Sequence, residues 1–127
     1  MIKRYLVTAA VFLAIDLLWL GLVAPKLYKQ HLGHLMAEKT NFLAAGVFYL
    51  LYVAALLVFV INPAIASGSV WQALLKGAFL GLVMYATYDL TNLATLMDWP
   101  LNITLIDLLW GSFVTAATSG IATRIFL

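Results

Sequence analysis

At 127 residues the chain has the length of one domain, spanning 1–127, yet 65% of it is hydrophobic and only 9% charged, against roughly 25% charged in soluble chains. No water-facing surface can be built from that supply, so the solvent must be a bilayer. A net charge of +2 is too small to argue for nucleic acid as a partner, and the absence of cysteine removes disulfides, thiolate metal sites and cysteine nucleophiles.

A hydrocarbon core about 30 Å thick takes around 20 apolar residues in a helix. Four stretches reach that length: about Tyr5 to Val23, Asn41 to Ile61, Ala73 to Leu96 and Asn102 to Thr123. The expected fold is an all-α integral membrane protein of four transmembrane helices, with a short interfacial helix in the first loop. Lys3 and Arg4 ahead of the first run imitate a secretory leader. The run outlasts the roughly 7 to 15 residues of a leader's apolar core, and no small-x-small cleavage site follows before Pro25, so a retained helix is expected.

The first loop, Ala24 to Thr40, is the only long one. As a helix from Leu27 it places Tyr28, Leu32, Leu35 and Met36 on one arc and Lys29, Gln30, Gly33 and Ala37 on the other, the pattern of a helix lying in the interface. His31, His34 and Glu38 then share an edge at i, i+3 and i+7, a spacing that makes them weak candidates for a divalent metal. Further on, Asn62-Pro63 is expected to stop the second span, and Ser67-Gly68-Ser69 and Trp99-Pro100 mark the second and third connections. Trp71 and Trp99 bracket the third span, as interfacial anchors do. Lys3, Arg4, Lys76 and Arg124 fall on one side and Lys26, Lys29 and Lys39 on the other. That weak bias favours both termini in the cytoplasm, with dual insertion and antiparallel pairing of copies as the alternative.

Asp16, Asp89 and Asp107 lie inside spans, where an ionised carboxylate costs about 2.5 to 3.5 kcal/mol even on the gentler insertion scale. Asp16 is seven residues before the end of the first span, Asp89 seven before the end of the third and Asp107 five after the start of the fourth. All three therefore sit about 8 to 10 Å below one face, the face that also carries His31, His34, Glu38 and Asp98. In the third span Gly77, Gly81, Tyr85, Tyr88, Asp89 and Asn92 recur on one side; the glycines allow close helix approach and the polar half lines what opens above them. In the fourth, Thr104, Asp107, Gly111 and Thr118 share a face with Trp110, and in the first Asp16 and Trp19 face the same way. The run Ile15-Asp16-Leu17-Leu18-Trp19 is echoed by Ile106-Asp107-Leu108-Leu109-Trp110 on a helix of opposite direction, as in an inverted repeat; the middle spans show no echo.

The segment from Tyr85 through Tyr88-Asp89-Leu90-Thr91-Asn92, then Asp98-Trp99-Pro100-Leu101 and Ile106 to Gly111, resembles the small bacterial membrane proteins catalogued as domain of unknown function 2177. Asp16 to Leu20 and Phe48 to Tyr52 extend the resemblance over nearly the whole chain. It implies a bacterial inner membrane and a signature at Asp16, Tyr88, Asp89, Thr91, Asn92, Trp99, Pro100, Asp107 and Trp110. It carries no reaction, substrate or cofactor with it.

Two readings of the acids stand side by side. Structurally, they are held protonated and hydrogen-bonded to Asn92, Thr91 or a tyrosine to fix helix register. Functionally, Asp16, Asp89, Asp107, Asn92, Tyr88, Tyr85, Trp19 and Trp110 line a pocket for a cation, a proton or a small cationic or amphipathic solute, the rings walling it and the acids titrating apart. Tyr49 and Tyr52 are read as packing residues. Transport would call for a homodimer, because four short helices enclose little volume. An enzyme of the lipid phase using the acids as acid and base would show a cleft open sideways to lipid, and a partner subunit would pair its acids with another chain. Membrane lipids are the common partner of all three. No Gly-rich phosphate loop, zinc-protease motif or serine elbow occurs, and Ser67, Ser69, Ser112 and Ser119 lie towards the side away from the acids.

Overall fold

The computed structural model describes residues 1–127. It is 87% helical without strands, and four of its helical stretches, Ile2–Leu22, Phe42–Ser67, Val70–Thr95 and Leu101–Phe126, are long and apolar enough to cross a membrane. The helices are α1 (Ile2–Leu22), α2 (Ala24–Leu32), α3 (Phe42–Leu56), α4 (Asn62–Ser67), α5 (Val70–Thr95) and α6 (Leu101–Phe126). Large apolar side chains such as Phe42, Leu51, Phe59 and Phe79 are turned outwards, as a lipid solvent requires.

Because lipid tails are as apolar as leucine, burial alone does not hold such a bundle together; close packing and interhelical hydrogen bonds do. α6 lies at the centre, with Thr104, Asp107, Gly111, Thr115, Thr118, Ser119 and Thr123 buried along it. Its most extensive partner is α5. A Cβ placed on Gly81 would lie 2.1 Å from the Gly111 carbonyl oxygen, and one on Gly77 2.9 Å from that of Thr115. The two glycines of the third span are thus where backbone meets backbone, as their spacing implies. On the other flank Phe12, Tyr52, Leu56, Ile61 and Val114 make the main apolar cluster.

Asn62-Pro63 does not stop the second span. The helix runs on to Ser67 through a π-helical turn at Leu57–Ile61, in which Asn62 N–H donates to Leu57 O. The wider turn sits directly ahead of Pro63, whose ring would clash with a regular preceding turn and which has no N–H to give it. Termination comes at Gly68, in the left-handed region at φ 71°, with Ser69 N–H returning to Ala64 O. Ser69 then caps α5 by accepting from Gln72 N–H at 3.1 Å. Near the termini, Arg4 donates to Asn62 Oδ1 at 2.9 Å.

The first connection also departs from expectation. α2 follows α1 almost without a break and ends at Leu32, succeeded by a 3₁₀ turn at Gly33–Leu35 and non-helical chain from Met36 to Asn41. The helical edge expected to gather His31, His34 and Glu38 does not form, because the helix ends before His34, and the fold gathers no cluster of three or more potential ligands for a metal ion. Trp71 is exposed, as an anchor should be, but Trp99 is buried. Its indole N–H donates to Thr104 Oγ1 at 3.1 Å, and it packs with Leu32 and Ile103, so it ties α2 to α6 rather than facing lipid.

Candidate functional site

Each of the three acids lies six residues from the end of its helix at one face: Asp16 before Leu22, Asp89 before Thr95 and Asp107 after Leu101. That places them about 9 Å along the helix axes from the same side. All three are buried, Asp89 completely. Their surroundings divide them into a pair and a single carboxyl.

Asp16 is the single one. Tyr49 of α3 donates to its Oδ2 at 2.9 Å, and Trp110 lies beside it. Asp107 is met from above by Tyr28 of α2, whose hydroxyl donates to Oδ1. Burial, reinforced by that carboxyl, holds the Tyr28 phenol well above the usual tyrosine range, so it stays protonated and keeps donating. Asp89 has no such donor: both its oxygens are buried and unpartnered. What faces it is the carboxyl of Asp107. Two carboxylates are both acceptors, so the pair is unsatisfied unless a proton or another cation lies between them. The side chains that hydrogen-bond to the acids are tyrosines, with no basic side chain among them.

The echoed segments come together through their tryptophans. Trp19 and Trp110 stack at 4.4 Å with their planes 11° apart. Trp110 lies beside Asp16, while Trp19 meets Tyr28 edge to face with ring centroids 6.5 Å apart, and Tyr28 donates to Asp107. Each segment's indole therefore lies beside the other segment's acid or beside the tyrosine that bonds it. Asp89 breaks this symmetry, since only Asp107 has a second carboxyl beside it. Tyr85 lies near both Asp16 and Asp107, in space left by the missing side chain of Gly111, whose Cβ would stand 2.2 Å from the Tyr85 ring.

A cavity of about 380 Å³ opens at Asp107, lined also by Tyr28, Leu32, Met36, Tyr85 and Tyr88. A second, of about 310 Å³, lies between α3 and α5 and shares Tyr85 and Tyr88, adding Phe48 and Met84. Of the residues the sequence put in the pocket, Asp107, Tyr85 and Tyr88 line these cavities, Asp89 stands behind Asp107, and Asp16, Trp19 and Trp110 form the adjoining centre. Tyr88 is more open than its place in the third-span stripe suggests, at 56% exposure against the edge of Trp99. Asn92 is half-buried and hydrogen-bonds to no acid. Thr91 bonds back to its own helix at the carbonyls of Thr87 and Tyr88. Tyr28 and Tyr49 are the residues that sequence reasoning undervalued, whereas Tyr52 packs in the main apolar cluster as expected. Tyr52 shares a 2.6 Å hydrogen bond with Thr115. The depth of Tyr49, about 12 Å from Asn41, was a usable signal because it matches that of the acids. Tyr28 gave none, since its role depends on α2 folding over α6.

A family model described as predicted membrane protein (DUF2177) matches residues 1–124. The chain belongs to that family. No curated protein and no solved structure matches it. As a DUF2177 protein it is a membrane protein with four candidate spans.

Proposed function

We propose that the chain works in the bacterial inner membrane, where it binds a cation in the carboxylate- and aromatic-lined pocket and carries it as a homodimer, the cation being a proton or a small cationic or amphipathic solute. One observation carries the reading: Asp89 is fully buried, has no donor for either oxygen, and faces Asp107. Tyrosine bonds that only fixed helix register would account for Asp16 and Asp107, but they leave Asp89 unexplained. Burial of all three acids inside the bundle also speaks against their pairing with basic residues of another chain. The rings of Tyr85 and Tyr88 beside Asp107 suit a cation resting on their faces. The cavity between α3 and α5 favours one second reading, a lipid-phase enzyme in which the pair shares the proton it donates and recovers.

Carboxyl infrared spectroscopy of the protein in lipid nanodiscs tests the binding reading. A protonated-carboxyl band should be present, should vanish on adding tetramethylammonium, and should be absent from Asp89→Asn and Asp107→Asn but kept in Asp16→Asn. If the three acids titrate independently near about 3.9, without response to a cation, the proposal fails.

A further inference from the structure

We infer that the occupant of this pocket is an amphiphile with an ammonium head and an apolar tail, which enters sideways from the lipid between the second and third spans. The inference rests on the cation reading and names the class of cation. Its first support is the lining of the cavity at Asp107: Tyr28, Leu32, Met36, Tyr85 and Tyr88 surround the carboxyl with rings and apolar side chains, and no other charged side chain stands among them. The second is that the lateral route is open. Between α3 and α5 the lining is Phe48, Met84, Tyr85 and Tyr88, of which Phe48 and Tyr88 are about half exposed.

Depth decides what can occupy that lateral space. Phe48 is six residues into α3 and Tyr88 seven from the end of α5, while Met84 is eleven from it. These walls therefore lie about 9 to 16 Å from the face, at hydrocarbon depth, where no hydrated ion resides. A tail lies there without cost, alongside phenylalanine and methionine. The head is then brought to Asp107, with Asp89 behind it, an anionic base that selects a positive group. Tyr85 and Tyr88 line both cavities, so one elongated molecule can fill the two at once, its head held by charge and by the ring faces and its tail by the outer groove.

The test uses the full chain in nanodiscs and compares tetramethylammonium with dodecyltrimethylammonium, the latter expressed as its mole fraction in the lipid. A dodecyl ammonium carrying a diazirine in mid-tail should label Phe48 and Met84 saturably, and the label should be lost in Asp107→Asn. Filling the groove with Met84→Trp, or from its exposed wall with Phe48→Trp, should weaken the response of the carboxyl band to the long-chain ammonium by roughly ten-fold or more. The response to tetramethylammonium should stay unchanged. If both cations act on the band and neither groove variant discriminates between them, or the label spreads evenly over the lipid-facing surface, the lateral amphiphile is wrong while cation binding stands. If neither cation changes the band, the cation reading itself falls.

Discussion

Gly81→Ala is the sharpest test of how the site is held together. The new Cβ would stand 2.1 Å from the Gly111 carbonyl oxygen, where ordinary contact begins at 3.4 Å, so α5 and α6 must part locally by about 1.3 Å. The obstacle is backbone and cannot rotate away, unlike Leu74, whose side-chain end is what a Cβ on Gly120 would meet. Overpacking of this kind costs about 1 to 3 kcal/mol, and a backbone obstacle belongs at the upper end. Alanine returns up to about 1 kcal/mol through its better helix propensity, leaving a net loss of about 2 kcal/mol. Gly46→Ala is the control, since nothing lies within 4 Å of its Cβ and only the propensity gain remains. Gly77→Ala, with its closest approach at 2.9 Å, should fall between them. Unfolding in mixed micelles, followed by helicity, gives the order Gly46→Ala, Gly77→Ala, Gly81→Ala from most to least stable. Gly81→Ala should also weaken the carboxyl band, because Asp89 and Asp107 sit on the two helices being parted. If Gly81→Ala proves as stable as Gly46→Ala, α5 and α6 do not meet there and the acid pair is not built as described.

The remaining predictions address other links in the structure. Tyr28→Phe removes the donor to Asp107 at a cost of about 1 to 3 kcal/mol, the range for a bond to a charged or buried group; amide exchange over 24–32 should rise while that over α5 does not. The indoles of Trp19 and Trp110, stacked at 4.4 Å, should give an exciton couplet in circular dichroism that disappears in both Trp19→Phe and Trp110→Phe, and its survival in either would refute the stack. Gly68→Ala, at φ 71° with open space around it, should cost about 1 kcal/mol from backbone strain alone, measured in the same micelle titration. Reporter fusions at Gln30 and Asp98 should fall on the side opposite those at Ala66 and Leu127, and agreement of all four would end the four-span topology.

Much of this protein is determined by its sequence alone. Apolar runs matching the bilayer thickness leave only helices able to satisfy their backbone, so four spans follow, and counting residues from the span ends puts Asp16, Asp89 and Asp107 at one depth. Gly77 and Gly81 mark the close approach because only a residue without a side chain permits it. The sequence does not determine the azimuth of one helix against another. That angle is set by packing across the whole interface, and it decides that Asp89 meets Asp107 while Asp16 goes to Tyr49. The same holds for Asn62-Pro63, where a local rule predicts an end to the helix and a π-helical turn absorbs the proline instead. Trp99 and Tyr28 depend on a contact between the first connection and α6, residues about 70 to 80 positions apart. No local pattern encodes a hydrogen bond across that separation, and it is the tertiary fold that turns a tyrosine of an interfacial helix into the donor to a buried carboxyl pair.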